Sequence, residues 1–413
     1  MPNLQKRRMA VTWMTLGVAL ALSGMANAAQ TPGKAPAKRY WVKTIGDIVQ
    51  LHDNKTDSTV SVLTGTSNAY EFVVRGKNVI SMNIPSTTAL RNNPGLNGIP
   101  FLGPFANRLD EMAFYANGKK YSFDPGLGNV RSPIPQQGFL NSTHDWKLVT
   151  AKADANSAYL VSKLDFYRNP DWMKQFPFAQ TYTMTIRLKD GVLEVNTRID
   201  NLSTQPLPVS IGYHPYFALP ETDRNHWSLD FGAETHWIET DAHLPTGEKE
   251  TSDTFFGGDH HNVPLSRFTD KRFDEVFSDL DRDAQGRASV VIKGDTTSIK
   301  VTAGPKIKTF LLYSEILPLA GAPPATAPAG RGGAAGPNGP RPVSATVAYD
   351  GPVVPLTAPN DMPRNKRGFI AIEPMAGITD SMNMAQKGQY NELQYVAPGG
   401  SWNESIWISP SGY

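Results

Sequence analysis

The sequence predicts an all-β protein, a large antiparallel β-sandwich, on three observations. Strand-length runs of alternating apolar and polar residues recur along the chain, turn residues separate them, and no strong amphipathic helical period breaks the series. The clearest run is Thr181–Asp200. Tyr182, Met184, Ile186 and Leu188 alternate with Thr and Arg, and after Lys189-Asp190-Gly191 the residues Leu193, Val195, Thr197 and Ile199 alternate again. This reads as a hairpin turning on a glycine with positive φ. Trp146–Phe166 reads as a second hairpin, turning near Asp154–Ser157. Thr59–Leu63, Tyr70–Arg75, Val79–Ile84, Ser289–Lys293 and Ile299–Thr302 add short strands. Thr309–Tyr313 and Gly368–Ile372 are almost wholly apolar, as strands covered on both faces would be.

The chain has 413 residues, of which 19% are charged and 40% apolar, a balance that suits a globular core and not bulk disorder. Its first residues form a separate object. Lys6, Arg7 and Arg8 precede the uncharged apolar stretch Met9–Met25, and Ala26-Asn27-Ala28 offers small residues at a cleavage point. Met1–Ala28 is therefore expected to be a secretory signal peptide that leaves no integral membrane segment, so that the protein is exported to the periplasm or beyond. Its removal leaves 37 basic against 38 acidic residues, so the slight basicity of the full chain predicts no nucleic-acid binding. The absence of cysteine excludes disulfides. Residues 29–40 read as a disordered Pro/Ala-rich leader. Residues 41–413 read as one sandwich domain interrupted at about 318–367 by a Pro/Gly/Ala-rich surface insertion with little that could pack. A monomer is expected.

Two segments carry chemistry. Gly212–Leu219 reads G-Y-H-P-Y-F-A-L and sets His214 in an aromatic and proline frame, while Phe369–Asn383 places Glu373 at the end of an apolar strand. An imidazole and a carboxylate are the minimum set for general acid–base catalysis. Asp279–Gly286 hints at a calcium loop, but its glycine is one place late and Val290 stands where a bidentate glutamate belongs, so a charged hairpin loop is expected. His260-His261 sits on a loop, and adjacent histidines without further ligands seldom hold an ion, so neither a metal nor a cofactor is expected.

Four blocks, in order, resemble the aldose 1-epimerase (galactose mutarotase) family: N-G-I-P-F-L-G-P-F-A-N-R-L at Asn97–Leu109, the histidine block, H-W-I-E-T-D-A-H-L-P-T-G-E at His236–Glu248, and the Glu373 block with its D-x-x-N ending at Asn383. The resemblance implies a mutarotase-type sandwich and a cofactor-free interconversion of α and β anomers of a small sugar. Glu373 would be the base and His214 the acid, and their ordinary pKa values, about 4.3 and 6.5, already favour a carboxylate beside an imidazolium. Asn107 and Arg108 would donate to sugar hydroxyls, Asp274 would accept from them, and Tyr216 would flank the ring. The sequence departs from the family twice. Gln137 stands where a second histidine is common, with His144 a weaker replacement, and Leu311 stands where a glutamine is frequent. Both changes point to a substrate other than free galactose or glucose, or to relaxed specificity. The alternatives are a sugar-binding sandwich without turnover and a hexose-phosphate 1-epimerase.

Overall fold

A computed structural model of the protein describes residues 38–81, 84–268, 273–315, 349–356 and 368–413. The expected signal segment, the leader up to residue 37 and most of the insertion lie outside these residues. The leader boundary at residue 40 is late, because Tyr40 is already buried at the start of the strand Tyr40–Ile45.

Antiparallel pairing dominates. Five strands from Tyr40 to Asn78 form a meander in sequence order. A nine-stranded sheet runs, from edge to edge, through Val263–Pro264, Ser228–Phe231, Ala288–Lys293, Ser298–Ala303, Ser401–Ser411, Val192–Asn201, Gln180–Lys189, Ala158–Leu164 and Lys147–Ala153. An eight-stranded sheet runs through Pro245–Thr251, Ala233–Glu239, Phe273–Leu280, Thr309–Glu315, Phe369–Met375, Gly212–Tyr213 and Phe101–Leu102, with Tyr216–Phe217 also pairing to Phe369–Met375. The Gln180–Lys189 and Val192–Asn201 strands pair in continuous register from Gln180↔Asn201 to Lys189↔Val192, turning on Asp190 and Gly191, both at positive φ. That is the two-residue primed turn that the twist of a hairpin favours. The second expected hairpin also forms, and the Asp154 side chain accepts from the backbone N–H groups of Asn156 and Ser157 in its turn.

Period-two alternation explains the layers. Tyr182, Met184, Ile186 and Leu188 from the nine-stranded sheet share one apolar cluster with Phe273, Phe277, Phe310, Leu312, Ile370 and Ile372 from the eight-stranded sheet. Each buried side chain of this size contributes about 1.5–3 kcal/mol. On the opposite face of the eight-stranded sheet, Trp237, Val276, Leu311 and Met375 join Leu102 and Ile378 in a second cluster. This second face also presents Asp274, Tyr313 and Glu373 by strand parity.

Three expectations need correction. Among the described residues of Val79–Ile84 no strand forms, only a bridge from Ile80 to Phe217, because the Asn78 side chain accepts from the N–H groups of both Phe72 and Ile80 and so takes the place of a strand partner. Asp279–Gly286 does not close a hairpin, since the strands flanking it belong to the eight- and nine-stranded sheets and it carries the chain between them. Within the insertion, Gly351–Leu356 packs more than its composition suggests. Val354 is buried with Ile48, Leu63, Tyr70, Ile84 and Leu90, its carbonyl accepts from Thr87, and Tyr349 lies 3.7 Å over the Arg91 guanidinium.

Candidate active site

Strand register builds the floor of the site. Glu373 faces Leu311 across the Phe369–Met375 and Thr309–Glu315 pair, and Ala371 faces Tyr313, which in turn faces Asp274. Two strand spacings and two residues along the strand put the Asp274 and Glu373 Cα atoms about 12 Å apart, a span that two carboxylates with a sugar ring between them can fill. His214 follows the short strand Gly212–Tyr213, which pairs with Met375 through Gly212. A Cβ at residue 212 would sit 2.8 Å from Met375 and 3.0 Å from Ala106, so only glycine lets this segment lie close enough to deliver His214.

At the floor, His214 Nε2 lies 2.8 Å from Glu373 Oε1, with the side chains 5% and 1% exposed. The second carboxylate oxygen of Glu373 and Nδ1 of His214 are buried without hydrogen-bond partners among the described residues. Burial pushes the Glu373 carboxyl above its ordinary range, against the pull of His214 and Arg108, and the negative charge of Asp274 adds to the rise. Tyr216 stacks at a tilt on His214, ring centroids 4.6 Å apart, and Tyr313 and Phe369 close the aromatic wall around it.

The rim is more open. Arg108 donates to Asp274 at 2.8 Å and to the Asn107 side-chain oxygen at 3.0 Å, and Arg108 and Asp274 are 15% and 17% exposed. Burial alone would raise the Asp274 carboxyl, but the charges of Arg108 and His243 hold it below its ordinary range. Asn107 and Gln137 both have positive φ and clasp each other: Gln137 N–H donates to the Asn107 carbonyl at 2.7 Å, and Asn107 N–H donates to the Gln137 side-chain oxygen at 3.0 Å. Strained backbone of this kind, held from both sides, is a frequent mark of a site. Asp380 and Asn383, the ends of the D-x-x-N pattern, act from behind. Asp380 N–H donates to the Arg108 carbonyl, its carboxylate accepts from Asp110 N–H, and the Asn383 amide reaches the Ala113 carbonyl.

All seven residues singled out in the sequence thus gather in two linked groups, the buried His214–Glu373 contact with Tyr216 and the Arg108–Asp274 pair with Asn107 and Gln137. His144 does not join them; its Nε2 meets the carbonyl of Arg91. Leu311 is buried in the apolar cluster beside Glu373. Sequence reading missed a further pair, Glu239 and His243. The His243 Nδ1 lies 3.3 Å from the Glu239 carboxylate and 3.2 Å from the Asp274 carbonyl, and its Nε2 approaches the Asp274 carboxylate to 3.8 Å. Burial lifts the Glu239 carboxyl to about 7, and the bond to Glu239 raises His243, against its own burial. The signal was a Glu and a His four residues apart in a tight turn, with His243 at positive φ.

No helix among the described residues is long and apolar enough to cross a membrane. A match to the family described as Aldose 1-epimerase runs over residues 70–326, which takes in every site residue named above except those from Phe369 onward. A galactose mutarotase-like protein from Clostridium acetobutylicum superposes with a TM-score of 0.67 over 91% of this chain and 99% of its own, at 17% identity. Galactose 1-epimerase from Lactobacillus acidophilus NCFM superposes with a TM-score of 0.61 over 89% of this chain and 95% of its own, at 13% identity. At such identities the likeness is one of fold. Among curated proteins, the uncharacterized protein YphB of Escherichia coli K12 is 26% identical over 143 residues, 35% of this chain and 43% of that protein, so the chain spans less than half of the relative it matches. With the family match covering well over half of its length and the fold agreeing, the chain belongs to the aldose 1-epimerase family.

Proposed function

We propose that the protein is an exported aldose 1-epimerase that interconverts sugar anomers by cofactor-free acid–base chemistry. The observation that carries this reading is the contact of 2.8 Å between His214 and Glu373, both buried on the site face. The two oxygens that must gain and lose a proton in ring opening, the ring oxygen and the anomeric hydroxyl, sit on the same carbon. A catalyst for that step needs its acid and its base side by side, and this pair is so placed. Glu373 takes the proton of the anomeric hydroxyl while the His214 imidazolium gives one to the ring oxygen. The C–O bond to the ring oxygen breaks, the open aldehyde rotates about its first carbon–carbon bond, and closure with the roles reversed gives the other anomer. Opening puts a proton on Glu373 and takes one from His214, closure returns both, and nothing is consumed.

Arg108, Asn107 and Asp274 supply donors and an acceptor to the sugar hydroxyls from the more open rim. Leu311 presents an apolar surface next to Glu373, and the Gln137 oxygen is already engaged by the Asn107 N–H. These two positions support a substrate class other than free galactose or glucose, or a broad one.

The test is polarimetry of freshly dissolved α-anomers of glucose, galactose, xylose, arabinose and several uronates, with wild type and Glu373→Gln. Wild type should speed the approach to equilibrium, and the variant should lose roughly 10²–10⁴-fold in rate with modest change in affinity. Sugar binding by calorimetry with no acceleration on any aldose would reject turnover and leave a binding protein.

A further inference from the structure

Far from the sugar site, the chain gathers a second set of ligand-type side chains. His260 and His261 lie between the helix Ser252–Phe256 and the strand Val263–Pro264, and Asp281 directly follows the strand Phe273–Leu280. Asp274 is near the other end of that strand, seven residues away, so the two places are separated by roughly 20 Å. The Asp281 Oδ2 atom lies 3.7 Å from His260 Nε2 and 3.4 Å from His261 Nε2, and one ligand atom from each of the three residues falls within 4.8 Å of the others.

The remaining ring nitrogens are fixed by carboxylates. His260 Nδ1 meets Asp253 at 2.7 Å, and His261 Nδ1 meets Asp230 at 3.0 Å. A carboxylate can only accept, so both Nδ1 atoms carry a proton, and in the neutral rings both Nε2 atoms present lone pairs toward Asp281. A carboxylate behind each imidazole is the arrangement that orients metal-binding histidines and raises their basicity. His260 is 7% exposed, yet among the described residues its Nε2 has no hydrogen-bond partner, and neither has Asp281 Oδ2. Two lone-pair donors left buried without partners carry a standing desolvation cost that a cation between them would remove.

We propose that His260 Nε2, His261 Nε2 and Asp281 Oδ2 bind a divalent cation of the zinc class. Ligand bonds of about 2.1 Å at tetrahedral angles set donors about 3.4 Å apart, close to the separations found. Two imidazoles and one carboxylate suit zinc, cobalt or nickel and not calcium. The fourth position falls to water or to Glu234, whose carboxylate is 4.0 Å from His260 Nε2. The proposal departs from the expectation of no metal at this loop, because Asp281 arrives from the other large sheet, unseen in the local sequence. The ion would tie the two sheets together in a chain that has no cysteine, and it takes no part in the epimerase chemistry.

The test uses the full chain purified without a polyhistidine tag and stripped with chelator. Titration with Zn²⁺ should show one ion bound per chain with a rise in Tm that saturates at that stoichiometry, and Co²⁺ should give the visible bands of a four-coordinate ion. Asp281→Asn and His261→Ala alter half-exposed positions, and each should weaken binding at least tenfold while His214→Gln leaves it unchanged. Absence of binding at millimolar Zn²⁺, binding that survives the Asp281→Asn, His261→Ala double variant, or a preference for Ca²⁺ would each overturn the proposal.

Discussion

His214 and Glu373 share a contact whose energetics set the pH range in which the site can work. In the proposed mechanism Glu373 must be ionised to act as base, and burial lifts its carboxyl above the ordinary glutamate range. The acid limb of kcat/KM should therefore fall at higher pH than the value of about 4.3 for an unperturbed glutamate, as a pH–rate profile by polarimetry would show; a limb at or below that value would contradict the burial argument. Glu239, lifted to about 7, and His243, also raised, belong to the same cluster of charges, so the limb will report the group as a whole and not one residue. His243→Gly offers a clean second probe, because the backbone there already has φ of 56° and glycine adopts it freely. If His243 helps hold the substrate beside Asp274, KM should rise about tenfold with kcat little changed; equal losses in both would mean that it serves the chemical step. At this scale the site was partly legible. His214 and Glu373 stood in recognisable frames of apolar residues, whereas Glu239 and His243 lay inside the His236–Glu248 block without being singled out. Only the register shift between Trp237 and Glu239 and the return of the turn onto Asp274 make them part of the site.

Asp380 joins elements that are far apart in sequence, and its titration should be visible in stability. Its carboxyl is buried and pushed up to about 7, chiefly by burial and against its bond from Asp110 N–H. A carboxyl with a raised folded value favours the folded state while protonated, and that contribution is lost as pH rises through about 7. The stability advantage of wild type over Asp380→Asn, measured by urea unfolding, should therefore shrink from pH 4 to pH 8 by a few kcal/mol. A constant difference would place the proton elsewhere. Hairpins were the elements best read from sequence, because alternation and turn chemistry agree locally at Asp190-Gly191 and at Asp154–Ser157. The failures at Val79–Ile84 and Asp279–Gly286 have a common cause. In the first a side chain replaces a strand partner, and in the second the two flanking strands part to different sheets, and neither event leaves a trace in the local pattern.

For the whole molecule, the two large sheets stand or fall together through their shared core. Ile186→Ala removes a buried side chain from that core and should cost about 2–5 kcal/mol in denaturant unfolding, with one transition for tryptophan fluorescence and circular dichroism alike. Separate transitions would show that the sheets unfold independently. The all-β class was legible because period-two patterning recurs along the chain. The order of strands was not, since sheet neighbours such as Val192–Asn201 and Ser401–Ser411 are about 200 residues apart and nothing local announces the pairing.

The position of the insertion has a consequence for how the protein comes into being. Glu315 pairs with Phe369 at the head of two neighbouring strands, so everything between them is a detour from one strand to the next. Lengthening such a detour is cheap, since each doubling of a flexible loop adds only about 0.6 kcal/mol to its closure. Synthesis pays in order instead. A nascent chain halted between residues 274 and 373 already carries His214, Arg108 and Asp274 but lacks Glu373, the base of the proposed mechanism. Truncated or proteolytically shortened products would be mute in an activity assay however well they fold, which makes turnover a stringent readout of completion.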